Sequence, residues 1–185
     1  MNKNLRIIPW LLLVVVSLCS CVKDTDFSQA EDVTLTPVVE LNLIHFDLDA
    51  SEFFDPITNT PRLTVVDTTE IRFLDDSGFQ ESLQRAEFFF RFENSIPRSF
   101  QTDFLFLDAE GVQTYGTSFP VQAGSNDTPV ITEHTENVEG EAILELTSAD
   151  RVVVSVTIPS ANASLTGNLN LQSKTTYYLE IKERN

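Results

Sequence analysis

The chain has 185 residues, 42% of them hydrophobic and 22% charged, the balance of a folding sequence rather than a disordered or collagen-like one. Twelve bases stand against 28 acids; setting aside the first twenty residues removes Lys3 and Arg6 but no acid, leaving ten against 28, or −18. A field of that sign repels phosphate backbones and argues against nucleic acid as a partner.

The N-terminus carries an address. Lys3 and Arg6 precede an almost wholly apolar run from Ile7 to Val16, and Ser17-Leu18-Cys19-Ser20-Cys21 closes it. A basic start, a short apolar run and small residues at its end predict a secretory signal over residues 1–20. The run is shorter than the ~20 residues that a spanning helix needs. Leu18, Ser20 and Cys21 resemble the lipobox of bacterial lipoproteins. That resemblance implies cleavage before Cys21, a diacylglycerol thioether on its thiol, and a further fatty acyl chain, such as palmitate, on the new amine. Two or three chains anchor stably where one is marginal. The two cysteines are Cys19 and Cys21, so the mature chain is expected to hold no internal disulfide.

Residues 21–32 read as the lipidated Cys and a tether, polar and acidic with a single aromatic, Phe27. Such a stretch buries too little to offset its own ordering. Lys23-Asp24-x-Asp26 resembles the lipoprotein export signal of Bacteroidota. The resemblance implies the outer leaflet of the outer membrane; the alternative is an ordinary solvated charge run.

Residues 33–185 read as one β domain. Leu41 and Leu43 alternate in one phase, and Ile44, Phe46 and Leu48 in the other. The slip near Leu43-Ile44 predicts a bulge, or a strand that changes sheets. Leu63, Val65, Ile71 and Phe73 alternate with polar residues. A turn or two of helix is expected within residues 79–85. Ala86, Phe88, Phe90 and Phe92 then fall on one face, against Arg85, Glu87, Arg91 and Glu93. Phe100, Phe104 and Phe106 follow. Asp108-Ala109-Glu110-Gly111 predicts a hairpin turn, as do Asp75-Asp76-Ser77-Gly78 and Gly124-Ser125-Asn126-Asp127. Ala142, Leu144 and Leu146 read as a further strand; Val152, Val154, Val156 and Ile158 form another, stopped by Pro159. Leu169, Leu171, Tyr177, Leu179 and Ile181 complete the set.

About eight or nine antiparallel strands with turns at this spacing imply a β-sandwich. Leu171 to Ile181, with Thr175-Thr176-Tyr177, resembles the corner and penultimate strand of a fibronectin type III domain. That resemblance implies an Ig-like sandwich.

Chemistry is sparse. His45 lies within a strand. His134 neighbours Glu133, Glu136, Glu139 and Glu141, a set without the spacing of a closed metal site. Asp47, Asp49, Glu52 and Asp55 are dense enough to raise a calcium site, but lack the Gly and terminal Glu of an EF-hand loop. No nucleophile elbow, His-Glu-x-x-His or phosphate loop occurs. No catalytic residue, metal or cofactor is therefore assigned. The one Trp, Trp10, lies in the signal, while Phe89 breaks onto a charged face and Phe53, Phe54 and Phe79 fall at loops. Those four are the candidate contact patch. The expected function is a non-catalytic accessory or protein-binding module of a cell-envelope complex. It is held to outer-membrane lipid through Cys21 and works with a protein partner in the envelope. The alternatives are a carbohydrate- or polymer-binding lipoprotein of an uptake system, or a small secreted hydrolase.

Overall fold

Side-chain alternation dictates the strands of this chain, whose computed structural model describes residues 34–71, 76–125 and 128–182. Cys21, Lys23, Asp24 and Asp26, with the expected signal and tether, lie outside the described residues. Eight long strands build the domain: β1 (Val38–Asp49), β2 (Thr64–Glu70), β3 (Leu83–Asn94), β4 (Phe100–Leu107), β5 (Gln113–Val121), β6 (Val130–Glu139), β7 (Arg151–Thr157) and β8 (Asn168–Leu179). A short ribbon pairs Phe54–Asp55 with Thr60–Pro61. Two helices are brief, α1 (Ser77–Ser82) and α2 (Glu141–Thr147). None among the described residues is long and apolar enough to cross a membrane.

The strands form two four-stranded antiparallel sheets, ordered β1-β8-β3-β6 and β2-β7-β4-β5. The all-β sandwich and its strand number are as expected. The strand order is that of a jelly roll, two Greek keys in a double sheet, rather than the Ig order. The physical reason lies in the pairing: β4 with β5, β3 with β6, β2 with β7 and β1 with β8 make one long hairpin, rolled on itself. At its apex Gly111 takes φ +85°, a region that Gly enters without penalty, and its N–H donates to the Asp108 carbonyl at 3.1 Å. The fibronectin-like segment is no corner here. Leu171 to Leu179 runs unbroken within β8, because Thr175 and Tyr177 continue its buried face.

Fourteen phenylalanines supply much of the core. Phe88, Phe90 and Phe92 of β3 and Phe104 and Phe106 of β4 are fully buried, as are Val152, Val154 and Val156 of β7. Phe90 meets Phe104 with ring centroids 4.3 Å apart and Phe119 at 5.3 Å, joining the two sheets.

Two local readings change. Residues 141–147 are helical, not extended: Ile143, Leu146 and Thr147 are buried, the three- and four-residue spacing of a helix face, whereas Leu144 is exposed. Asp76 begins α1 rather than a hairpin, its carboxylate accepting the Phe79 N–H at 2.8 Å as an N-cap.

The slip at Leu43-Ile44 is a bulge. Gln172 pairs with His45 and Lys174 with Asn42, so Leu43 and Ile44 together oppose Ser173. Ser173 Oγ accepts the Ile44 N–H at 3.0 Å and donates to the Ile44 carbonyl at 2.6 Å, replacing the interrupted ladder.

Candidate functional site

The outer face of the first sheet is where the sequence places chemistry without core duties. Alternation along β3 sends Arg85, Glu87, Phe89, Arg91 and Glu93 outward, opposite its buried phenylalanines. Beside them β8 presents Asn170, Gln172 and Lys174, in register with Glu93, Arg91 and Phe89. The bulge in β1 then sets Asn42 and His45, three residues apart, on this same face. Asn42, Gln172 and Ser173 are shared by two adjoining hollows of about 420 and 220 Å³. The first reaches His45 and Asn170; the second reaches Phe89, Arg91 and Lys174.

Charge on this face is laid out in pairs. Arg85 lies 3.4 Å from Glu87 and 3.8 Å from Glu139, and stacks 3.7 Å over the Tyr178 ring. Arg91 bonds Glu93 and lies 3.7 Å from Glu133. Lys174 Nζ donates to Glu40 at 3.0 Å. Of the seven Lys and Arg among the described residues, these three share one sheet face of an acidic chain. Phe89 stands among them, half-buried, in register with Lys174 on one side and Thr135 on the other. The arrangement offers amide donors and acceptors, three guanidinium or ammonium groups and one apolar ring. Those are contact groups for a bound surface or chain.

The other candidate aromatics separate. Phe53 is fully buried: it ends the 3-10 turn Ala50–Phe53 and packs 5.4 Å from Phe100, so it makes no outward contact. Phe79 is half-buried on the core, edge-on to Tyr177 at 5.3 Å. Phe54 lines a different hollow of about 340 Å³ with Pro56 and Leu165. The four do not form one patch, because the 3-10 turn and α1 fold Phe53 and Phe79 onto the core.

The acidic candidates separate too. Among the described residues no three His, Cys, Asp or Glu side chains gather as metal ligands. Asp49 caps the 3-10 turn, and the Ser51 N–H holds its carboxyl below the usual range. Asp55 is lowered by the Ile57 N–H at 2.9 Å, then by Thr58. Turn-making thus occupies Asp49 and Asp55, two of the four carboxylates raised for calcium, the others being Asp47 and Glu52. Along β6 alternation divides the acidic segment: His134 and Glu136 turn inward, whereas Glu133 and Glu139 face outward toward Arg91 and Arg85.

That inward pair has a structural task that the sequence did not betray. Glu136 accepts the Tyr115 hydroxyl at 2.9 Å and the Thr117 hydroxyl at 3.0 Å, and lies 3.3 Å from His134 Nε2. His134 stacks on Phe119 at 4.0 Å. Burial, then Glu136, pushes the Tyr115 hydroxyl well above the ordinary tyrosine range. Edge strands β5 and β6, of different sheets, are laced together by this cluster.

Similarity to known proteins is confined to architecture. No family model matches the sequence, and no curated protein matches it. Among solved structures, a Parabacteroides distasonis protein inferred to be secreted is 14% identical (TM-score 0.44), over 66% of this chain and 38% of that one. The VP2 subviral particle of infectious bursal disease virus is 7% identical (TM-score 0.46), over 77% of this chain and 32% of that one. A CBM4 structure is 8% identical (TM-score 0.34), over 62% and 60%. This chain therefore spans about a third of the length of the first two.

Proposed function

We propose that this chain is a non-catalytic binding module of the cell envelope, tethered to outer-membrane lipid through Cys21, whose partner is another envelope protein. One observation carries the docking side of this reading: Phe89 places an apolar ring in the middle of an otherwise charged and amide-bearing sheet face. An aromatic ringed by Arg91, Lys174 and Gln172 has the make-up of an interface anchor with a polar rim. Lipid attachment at Cys21 raises the effective concentration of membrane neighbours to the ~mM range, so a modest contact suffices. Lys23, Asp24 and Asp26 support display on the outer leaflet through their resemblance to an export signal.

The test is photocrosslinking from Phe89 in native membranes. A defined protein adduct is expected, reduced when Arg91 or Lys174 is changed to Glu. Recovery of the lipoprotein alone overturns the reading.

A second reading rests on the three amide side chains Asn42, Asn170 and Gln172 lining the hollows, since amides suit the hydroxyls of a glycan. Binding of purified polysaccharides by the isolated protein, lost in Gln172→Ala, would favour it over a protein partner. Turnover by the purified protein would favour a hydrolase instead.

A further inference from the structure

The two flanks of the sandwich are built differently. On one, the polar lacing around Glu136 ties β5 to β6, and Thr132 Oγ1 accepts the Gln122 N–H at 3.1 Å. The other, between edge strands β1 and β2, is a groove of about 190 Å³. Phe46 and Leu48 of β1 line one side and Val65 and Val66 of β2 the other, with the core residues Val154 and Val156 between. Among the described residues Asp67 is its one charged lining residue.

Among the described residues the backbone of β2 also has an open side, its one neighbouring strand being β7. Ile158 N–H donates to the Leu63 carbonyl at 2.9 Å and Ile71 N–H to the Asp150 carbonyl at 2.8 Å. Odd-numbered residues therefore bond to β7, and alternation turns the peptide groups of Val66 and Thr68 to the open edge. Asp67 Oδ1 accepts the Thr68 N–H at 2.8 Å, a side-chain cap on that edge.

We propose that this flank accepts an extended basic–apolar segment of a partner protein, added to β2 as a fifth strand. Its groove-facing side chains are apolar against Phe46 and Leu48, with one Lys or Arg among them opposite Asp67, whose carboxylate turns to it as a carbonyl of the added strand takes over the Thr68 N–H. Charge selects this occupant. The acidic carboxylate at the groove, on a chain of −18 beyond its first twenty residues, favours a cationic segment. A second copy would set β2 against β2, and Asp67 beside its own equivalent. An acyl chain would leave the Val66 peptide group without a partner. This surface is separate from the Phe89 face, and its test does not depend on that face.

The full-length lipoprotein in neutral detergent is titrated with a capped, fluorescein-labelled octapeptide in which Ser alternates with three Val and one Lys, so that Val and Lys share one face, read by anisotropy. Binding is expected, with none for the peptide in which Glu replaces Lys. Thr68→Pro removes an edge N–H that β7 does not use, so it should weaken binding about tenfold. Its melting curve should stay close to wild type. Asp67→Lys should reverse the preference and take the Glu peptide. Absence of binding by the wild type, or equal binding by Thr68→Pro, overturns the proposal. So does sedimentation of the wild type as a dimer that Thr68→Pro dissolves, which assigns the edge to a second copy. Displacement of a fluorescent fatty acid from the wild type but not from Val66→Lys assigns the groove to an acyl chain. If the peptide fails while Phe89 crosslinking succeeds, the strand-addition idea falls alone.

Discussion

Replacing Phe90 with Ala removes a ring that is fully buried where the sheets meet. It touches Phe88 and Phe119 at centroid distances of 6.4 and 5.3 Å, and Phe104 at 4.3 Å. Two of those neighbours sit on β4 and β5, so the cavity is walled from both sheets and has little freedom to collapse. Burial loss and cavity together cost ~3–5 kcal/mol for a core Phe. The figure belongs near its upper end here, because aromatic pairs add ~0.5–1.5 kcal/mol beyond their area. For a domain of this size each kcal/mol lowers the melting midpoint by roughly 2–4 °C, so a fall of about 8–20 °C is expected. Phe89→Ala, one residue along but on the outer face, should cost about 1 kcal/mol or less. The assay is thermal and urea unfolding of both variants by circular dichroism. Equal midpoints for Phe89→Ala and Phe90→Ala would refute the assignment of faces along β3.

Three further outcomes follow from single sites. Gly167 takes φ +112°, and a Cβ there would stand 2.8 Å from the Ser95 carbonyl atoms, so Gly167→Ala should lose about 2 kcal/mol or more in urea unfolding. Tyr115 and Tyr177 are both raised above the ordinary tyrosine range, chiefly by burial. A raised folded value favours the native state below the unfolded tyrosine value of ~10, and that contribution is lost as pH climbs beyond it. An alkaline absorbance titration should therefore develop the tyrosinate signal of these two rings only together with unfolding. Cys21→Ala should abolish incorporation of a fatty-acid analogue; replacing Lys23, Asp24 and Asp26 with Ala should shelter the protein from protease added to intact cells.

Faces were legible in the sequence, and neighbours were not. Phe88, Phe90 and Phe92 alternate with charges, and a period of two needs no knowledge of partners. The same period is silent on strand order, so the rolled hairpin was invisible, and the Leu171–Tyr177 segment invited a corner that its continuous burial rules out. Residues 141–147 were misread because Ile143 and Leu144 are both apolar. Either period fits so short a run, and burial of Ile143 with Leu146 decided it. Asn42, His45 and Gln172 were missed as a group since 127 positions of sequence separate His45 from Gln172, its partner across the two strands. The local signal that reached them was the phase slip. Phe53 was misplaced because a loop position says nothing of which way a 3-10 turn will fold it.

The bulge links the needs of the core to the outer face, and deletion separates the two. With Leu43 and Ile44 opposite one residue, Ile44, Phe46 and Leu48 bury on one side of the bulge, while Leu41 keeps to the same face beyond it. Removing Leu43 makes β1 regular: Ile44 still opposes Ser173, Asn42 still opposes Lys174, and every remaining side chain keeps its face. The loss is one half-buried Leu, about 1 kcal/mol. Removing Asp47 also shortens β1 by one residue, but within its regular stretch. Phe46 then swings outward, forfeiting ~1.5–3 kcal/mol of burial. His45 turns inward, with a further ~1–3 kcal/mol for a polar group taken from water without a partner. Deletion of Leu43 should thus leave a cooperative melt close to wild type with the Phe89 face intact. Deletion of Asp47 should lower the midpoint by about 5 °C or more. Equal damage from the two deletions would mean that the irregularity at Leu43 is not what holds both faces of β1 in register.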